Sequence, residues 1–110
     1  MQIDFPKPFR CSTAENDGTI VLRPVGELDL SSVPQLESSL RGALDAGARR
    51  LVVDLRGLDF MDSTGLTLLM RWQRESRRDG FELALVRGDE RIHRLFELTA
   101  MEPLFTFVEG

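Results

Sequence analysis

The chain has 110 residues, of which 42% are hydrophobic and 29% charged, and its formal net charge is −4. This length suits one domain with a modest core and leaves little room for a second domain or a deep catalytic cleft. An acidic chain without a clustered basic surface is not expected to bind nucleic acid, because binding requires basic groups that neutralise phosphates.

The sequence also argues against metal, disulfide and membrane chemistry. Cys11 is the single cysteine, so no internal disulfide can form, and no Cys/His spacing typical of a metal centre occurs. We expect Cys11 to be a buried structural thiol. The N-terminus lacks the pattern of a signal peptide, and no segment approaches the roughly 20 apolar residues of a membrane span. A cytoplasmic protein without direct membrane insertion is therefore expected.

The first part of the chain predicts a β-hairpin. Residues 1–8 contain two prolines and are predicted to form an irregular lead-in. Residues 9–14 and 19–25 read as strands, and Asp17-Gly18 between them favours a tight turn. Residues 26–32 are then expected to be a short polar link.

A helix is predicted to begin after this link. Ser32 is a candidate N-cap, Pro34 stands where its missing N–H costs nothing, and Gln35 completes a possible capping box. Gly47 is expected to end the helix. Apolar residues at helical spacing predict one buried stripe, made of Val33, Leu36, Leu40, Ala43 and Leu44.

The rest of the chain alternates strands and helices. The predicted elements are a strand over 50–55 that is buried on both faces, a helix over 62–78, a strand over 82–87, a helix over 89–98 and a strand over 105–108. The order ββαβαβαβ predicts a single α/β domain over residues 1–110. We expect a mostly parallel sheet of four to five strands, with an antiparallel N-terminal edge and amphipathic helices packed against it.

The segment that joins the strand over 50–55 to the next helix contains the candidate functional residues. Asp62 is expected to cap the helix, with its carboxylate accepting from backbone N–H groups of the first turn. Ser63 is then the first helical residue and is exposed at the rim of the sheet. Gly65 is expected to leave space for the backbone of another protein beside the Ser63 hydroxyl. A helix cap without any further role is the alternative that these residues leave open.

A phosphoryl group on Ser63 would add about −1.5 to −2 charges beside Asp62 and near Asp59. The positive end of the helix dipole favours these charges, so the fold is expected to tolerate them. A partner packed against the loop would instead have to bury an unpaired charge, which costs several kcal/mol. Phosphorylation is therefore expected to abolish binding without unfolding the protein.

The runs VGELDLSSVPQLESSL and LVVDLRGLDFMDSTGLTLLMRW, with the later RLFELTAMEPLF, resemble the STAS-domain anti-sigma factor antagonists over nearly the whole chain. The resemblance implies a regulatory protein that has neither catalysis nor a cofactor of its own. Its unphosphorylated form is expected to bind an anti-sigma factor that is also a serine kinase, which releases a sigma factor. The kinase uses ATP to phosphorylate the serine after the Asp of DSTG, and a serine phosphatase reverses the reaction.

Transferred to this sequence, the resemblance implies that Ser63 is the phosphorylated residue, with Thr64 as a secondary hydroxyl. A monomer or weak dimer is expected, with no metal site. The partner-binding surface is expected to comprise Glu27, Asp29, Asp62, Ser63, Thr64 and Gly65.

Two other functions stay open. One is a constitutive STAS interaction subunit of a transporter or signalling scaffold, although such an adaptor has less need of an exposed serine. The other is a small hydrolase that uses Ser63, for which His93, the single histidine, is the available base. No GxSxG elbow surrounds Ser63, and we expect His93 to be a surface or partly buried helix residue.

The helix over 62–78 is predicted to have one face buried against the sheet and one face in solvent. Its inward face is expected to contain Leu66, Leu69, Met70 and Gln73. Trp72 lies off that face, so we expect it to be partly exposed and a candidate partner contact. The arginines of this helix, Arg71, Arg74 and Arg78, are expected to form a solvated, partly paired face.

Overall fold

The computed structural model describes residues 8–110, which form a six-stranded mixed sheet and three α-helices. The predicted α/β class is confirmed, and the lead-in expected over 1–8 lies, apart from Pro8, outside the described residues. Short 3₁₀ turns occur at Leu55–Gly57 and Glu102–Leu104. The elements are β1 (Arg10–Asn16), β2 (Thr19–Leu28), α1 (Val33–Asp45), β3 (Arg50–Asp54), β4 (Leu58–Met61), α2 (Ser63–Asp79), β5 (Glu82–Val86), α3 (Glu90–Leu98) and β6 (Phe107–Val108).

The first two strands form the predicted antiparallel hairpin. Their register runs from Arg10 opposite Val25 to Asn16 opposite Thr19. The turn residues Asp17 and Gly18 have φ values of 51° and 83°. Two consecutive positive φ values are what a two-residue hairpin turn requires, and this explains the Asp-Gly pair.

Strand β2 connects two parts of the sheet. The strand order is β1-β2-β3-β5-β6, and β4 pairs with the C-terminal end of β2. All pairings other than β1 with β2 are parallel, as predicted. The polar link expected over 26–32 is wrong in its first three residues, because Gly26–Leu28 belong to β2 and Leu28 is fully buried. The register shifts between Gly26 and Glu27, where Gly26 has a φ of 104°, and the strand continues beside β4.

Strand β3 is buried on both faces, as its apolar run predicted. Leu51 and Val53 enter the main core, which the helices cover. Val52 points to the opposite face, where it packs with Ala84 and Val86 in a smaller cluster. A central position in the sheet therefore explains the nearly continuous apolar sequence.

Helix α1 has the predicted buried stripe but not the predicted cap. Leu36, Leu40 and Ala43 are buried on it. Ser32 stands at the N-cap, yet its hydroxyl makes no capping bond to the helix. The Ser32 Oγ instead donates to the Glu27 carbonyl at 2.7 Å and accepts from the Asp29 N–H at 2.9 Å. The capping-box prediction is wrong because this hydroxyl stabilises the preceding loop.

The expected exposure of Trp72 is also wrong. Trp72 is fully buried, and its indole N–H donates to Glu37 Oε2 at 3.0 Å. Arg41 lies over the indole ring at 4.5 Å from the ring centre. Trp72 follows the buried Leu68 and Leu69 by four and three residues, so it lies in the centre of the buried face of α2, which the sequence-based prediction placed too far round the helix. Trp72 therefore stabilises the α1–α2 contact and is unavailable to a partner.

His93 lies on a helix, as expected, but it is fully buried and not the surface or partly buried residue that the sequence suggested. The centre of its ring lies 5.7 Å from the ring centre of Phe96 and 5.1 Å from that of Phe107. The Nε2 atom lies 3.2 Å from Glu102 Oε1, in an orientation outside hydrogen-bond geometry. His93 is thus part of the aromatic packing that joins α3 to the C-terminal segment.

Cys11 is half-buried on β1 and packs against the main core. Burial raises the pKa of its thiol above the ordinary value. A raised pKa disfavours the reactive thiolate, and this agrees with the structural role expected from the sequence.

Candidate functional site

The N-terminus of α2 is capped by Asp62, as predicted. Asp62 has an extended backbone, and its Oδ1 accepts from the backbone N–H groups of Thr64 at 2.9 Å and Gly65 at 3.4 Å. The same oxygen accepts a hydrogen bond from the Thr64 hydroxyl. The Asp62 N–H donates to the Leu28 carbonyl at 3.2 Å, which fixes the cap to the end of β2.

The two hydroxyls beside this cap differ in availability. Ser63 is exposed as the first residue of α2, and its hydroxyl makes no hydrogen bond within residues 8–110. Thr64 is half-buried, and its hydroxyl is bound to Asp62. Ser63 is therefore the more accessible nucleophile for a phosphoryl donor. This difference supports the expectation that Ser63 is the phosphorylated residue and Thr64 the secondary hydroxyl.

Gly65 does not leave open space beside Ser63, so that expectation is wrong. Gly65 is buried, and a Cβ at this position would lie 2.9 Å from Leu28 Cγ and Cδ2 and from Met61 Cγ. The missing side chain lets the first turn of α2 pack closely on the ends of β2 and β4. Gly65 is therefore not exposed to a partner, and its close packing helps to fix the position of Ser63.

The GELD segment lies beside this loop. Glu27 is exposed opposite Phe60 of β4. Asp29 is half-buried, and its Oδ1 accepts from the Ser31 hydroxyl at 2.6 Å and from the Ser31 N–H at 2.9 Å. These hydrogen bonds, chiefly the one from the hydroxyl, lower the pKa of the Asp29 carboxyl. The fold therefore brings Glu27 and Asp29 to the same edge as Ser63.

Two apolar residues at this edge were missed by the sequence reasoning. Leu30 is 76% exposed, and Phe60 is 46% exposed. Leu30 stands in the loop that the Ser32 hydroxyl fixes, so its exposure is imposed by an ordered backbone. An apolar residue within a polar link was the available signal for Leu30. Phe60 could have been found only if β4 had been recognised as a strand.

The charge around these apolar residues is negative. The edge contains four carboxylates, those of Glu27, Asp29, Asp59 and Asp62. None of them forms a salt bridge with another residue that the structure describes. A shallow depression of about 240 Å³ adjoins Ser63, between Val33 at the start of α1 and the first three turns of α2 as far as Arg71. We call the edge that carries the four carboxylates, the two exposed apolar residues and Ser63 the switch face. Its residues are Glu27, Asp29, Leu30, Asp59, Phe60, Asp62 and Ser63.

His93, the candidate base of the hydrolase alternative, is enclosed by Phe96, Phe107 and Glu102. Within residues 8–110 no group of His, Cys, Asp and Glu is arranged to hold a metal ion. No helix in the described part of the chain has both the length and the apolar run needed to cross a bilayer.

Comparison with known proteins agrees with this architecture. The family model of the STAS domain matches residues 10–109. The anti-sigma-B factor antagonist of Staphylococcus aureus strain NCTC 8325 is 35% identical over 98 residues, which cover 89% of this chain and 91% of that protein. The anti-sigma-B factor antagonist of Staphylococcus epidermidis is 33% identical with the same coverage.

Solved structures with this fold include anti-sigma factor antagonists. The antagonist from Mycobacterium paratuberculosis has a TM-score of 0.83 and 23% identity, and covers 98% of this chain and 92% of its own. SpoIIAA in its unphosphorylated form has a TM-score of 0.73 and 24% identity, with 94% and 90% covered. The phosphorylated form of the Bacillus SpoIIAA has a TM-score of 0.68 and 24% identity, with 94% and 93% covered. On its sequence and its fold, this chain belongs to the STAS domain family.

Proposed function

We propose that this protein is an anti-sigma factor antagonist that acts by partner switching. Its unphosphorylated form binds an anti-sigma factor that is also a serine kinase, and the sigma factor is released. The kinase then uses ATP to phosphorylate Ser63, which abolishes the complex, and a serine phosphatase restores the binding form. The observation that carries the proposal is the exposed, unbonded hydroxyl of Ser63 on the switch face, in a chain 35% identical to an anti-sigma-B factor antagonist.

Phosphorylation leaves the fold intact because Asp62 already caps α2. The carboxylate of Asp62 occupies the N–H groups of Thr64 and Gly65, so these groups need no phosphate. A phosphoryl group on Ser63 then projects into solvent near the positive end of the helix dipole. A protein with the same fold has been solved in unphosphorylated and phosphorylated forms, so the fold itself is compatible with the modification.

Phosphorylation blocks binding through like charges at the point of closest approach. A kinase that phosphorylates Ser63 must hold the terminal phosphate of ATP next to the Ser63 hydroxyl. Once Ser63 carries its own phosphate, two sets of phosphate oxygens occupy neighbouring positions. Like charges brought together at an interface cost several kcal/mol, which corresponds to more than a hundredfold loss of affinity.

The switch face also indicates the chemistry of the partner's surface. Leu30 and Phe60 present apolar area that the fold leaves exposed, while Glu27 and Asp59 are exposed carboxylates beside them. A complementary surface has apolar pockets with basic residues at their rim. The basic groups pair with the carboxylates at the rim, away from the nucleotide that faces Ser63.

The first test is phosphorylation by a lysate of the protein's own host. The purified protein is incubated with lysate and ATP, its intact mass is measured, and the modified residue is located by fragmentation. One added phosphoryl group on Ser63, absent from the Ser63→Ala variant, is the expected result. No modification in a lysate with active serine kinases would contradict the switch and favour a constitutive interaction subunit.

A further inference from the structure

A second surface lies on the C-terminal half of α2. It is a groove between α2 and the segment after α3, with a volume of about 190 Å³. Its helical residues follow Ser63 by seven or more positions, which places them about 10–20 Å farther along the helix axis. We call this the α2 groove, and its lining residues are Met70, Gln73, Arg74, Arg77, Leu104 and Phe105.

The rim of the α2 groove carries two arginines without carboxylate partners. Arg71 and Arg78 of the same helix pair with Glu37 at 2.7 Å and Asp79 at 2.9 Å, so the partly paired face predicted from the sequence is confirmed there. Arg74 and Arg77 form no salt bridge with any residue from 8 to 110. They stand one turn apart on the same helix, so both guanidinium groups are available together at the rim of the groove.

Gln73 contributes a buried polar atom that lacks a partner. Its Oε1 is buried and makes no hydrogen bond within the described part of the chain. A buried acceptor without a donor is unfavourable, and such atoms are uncommon in folded proteins. Because the side chain of Gln73 also lines the groove, rotation of its amide exposes this acceptor to an N–H group of a bound molecule.

The α2 groove continues into a neighbouring cavity along the sheet edge. That cavity has a volume of about 370 Å³ and shares Gln73 and Arg77 with the groove. It borders the first residues of β5, which lack an outer neighbour because β6 pairs only with Leu85 and Val86. The combined surface is elongated and open, whereas sites for small molecules are clefts that enclose most of the ligand.

We propose that the α2 groove binds an extended peptide segment of another protein, in which an acidic residue stands next to an apolar residue. Arg74 and Arg77 pair with the carboxylate, for which the planar guanidinium is well suited. Leu104, which is 40% exposed, contacts the apolar side chain. The amide of Gln73 rotates toward the groove, and its Oε1 accepts from a backbone N–H of the peptide. Because the groove is separate from the switch face, this peptide binds in the same way whether or not Ser63 is phosphorylated.

The test begins with a displayed library of short random peptides, selected on the folded protein. The expected peptides contain Asp or Glu beside Leu, Ile, Met or Phe. Their affinity is expected to fall about tenfold or more in the Arg74→Ala/Arg77→Ala double variant. The control is Arg87→Ala/Arg94→Ala, which removes the same charge from two other exposed arginines without salt bridges and is expected to retain full affinity.

Amide chemical shifts of the ¹⁵N-labelled protein locate the bound peptide. We expect changes from Met70 to Arg77 and from Leu104 to Thr106, and equal affinity for the Ser63→Asp variant. Selected peptides without an acidic residue, equal loss in both double variants, shifts at the switch face or no selected peptide at all would overturn the proposal. Concentration-dependent dimerisation that the Arg74→Ala/Arg77→Ala variant abolishes would also overturn it, and would assign the groove to a second copy of this chain.

Discussion

Asp62 and Gly65 hold Ser63 from two sides of the first turn of α2. Asp62 binds the backbone N–H groups of that turn, and Gly65 lets the turn approach Leu28 and Met61. The position of the exposed hydroxyl is thus fixed by residues that do not themselves have to touch a partner. Substitutions next to Ser63 can therefore change the stability of the protein, its binding, or both.

Gly65→Ala is expected to destabilise the protein. The added methyl group would lie 2.9 Å from atoms of Leu28 and Met61, and such overpacking costs about 1–3 kcal/mol, more than Ala gains in helix propensity. We expect a net loss of about 1–2 kcal/mol in the free energy of unfolding, measured with urea. The control is Gly42→Ala in α1, where no atom lies within 4 Å of the added Cβ; it is expected to stabilise by up to about 1 kcal/mol. Equal effects of the two substitutions would contradict the close packing at Gly65.

Substitutions of Ser63 are expected to change binding and leave the fold unchanged. Ser63→Asp and Ser63→Glu place a negative charge beside Asp62, so binding to the anti-sigma factor falls while circular dichroism and melting stay nearly the same. Ser63→Ala binds persistently and gives constitutive release of the sigma factor. Unfolding of the acidic variants would refute the exposed position of Ser63, and loss of binding in Ser63→Ala would show that the hydroxyl is itself an essential contact.

The sequence predicted helix capping by the side chains of both Asp62 and Ser32, because both are good capping residues. The prediction is confirmed for Asp62 and wrong for Ser32. The Asp62 carboxylate has only the first turn of α2 within its reach for such bonds. The Ser32 hydroxyl instead meets the carbonyl of Glu27 and the N–H of Asp29. Those groups are only five and three residues away, and the turn closed by the Ser32 N–H donating to the Asp29 carbonyl at 3.1 Å brings them within reach of the hydroxyl. The turn preceding α1 therefore competes with the helix for the same hydroxyl.

Helices α1 and α2 are joined by a polar contact around a buried indole. Glu37 of α1 accepts from the Trp72 indole N–H at 3.0 Å and lies 2.7 Å from Arg71 Nη1. The hydrogen bond from Arg71, followed by that from Trp72, lowers the pKa of Glu37 below its ordinary value. A carboxyl with a lowered pKa in the folded state stabilises the protein above its unfolded pKa, and this stabilisation is lost as pH falls through the folded value.

Glu37→Gln is therefore expected to change the acid dependence of stability. The wild type loses the contribution of Glu37 as the pH falls below about 4.3, the ordinary pKa of glutamate, whereas the variant has no such contribution to lose. The difference in unfolding free energy between the two proteins is then larger at neutral pH than in acid. Urea unfolding followed by the fluorescence of Trp72 measures it. The control, Glu82→Gln, removes an exposed pair with Arg50 at 3.5 Å and is expected to have little effect at either pH; a constant difference for Glu37→Gln would contradict the prediction.

At the scale of elements, the sequence predicted five of the strands and all three helices, with shifted ends. It missed β4 because this strand has four residues and its burial does not alternate, with Asp59 and Phe60 both exposed. It also ended β2 too early, since the residues that follow look polar except for Leu28. Both errors concern one pairing, that of β2 with β4, which arises only when distant segments meet.

The whole molecule exposes large apolar residues in more than one place. Leu30 and Phe60 flank Ser63 on the switch face, whereas Leu98, 77% exposed, lies on α3. The main core is complete without them, so their substitution has little effect on the fold. Leu98 therefore offers a matched control for the role that we propose for Leu30 and Phe60 in binding the anti-sigma factor.

Leu30→Ser and Phe60→Ser are each expected to weaken binding to the anti-sigma factor by about tenfold or more, because buried apolar area is lost from the interface. The unfolding free energy is expected to change by no more than about 0.5 kcal/mol for Leu30→Ser, and to fall by about 1 kcal/mol for Phe60→Ser, because about half of Phe60 is covered. Leu98→Ser, which matches Leu30→Ser in chemistry and exposure, serves as the control and is expected to bind normally. Normal binding of both switch-face variants, in a preparation where Ser63→Asp is deficient, would refute the role of Leu30 and Phe60 and leave the phosphorylation switch in place.

The sequence predicted the family, the fold class and the loop that carries Ser63, because these depend on local patterns and on quoted motifs. It did not predict that Trp72 and His93 are buried, and the two errors have different causes. Trp72 follows the buried Leu68 and Leu69 by four and three residues, so it lies on the apolar stripe of α2, and the error was to centre that stripe on the wrong side of the helix. His93 is covered because the C-terminal segment folds back on α3, a contact that the local sequence does not encode.

The cap at Asp62 has a consequence for the lifetime of the protein in a cell. Proteases act mainly on unfolded molecules, whose number depends on the free energy of unfolding. Because Asp62 closes the end of α2 whatever group Ser63 carries, the folded state of neither form depends on the phosphate. On the proposed function, a cell can then convert one form into the other repeatedly without unfolding the protein and without new synthesis.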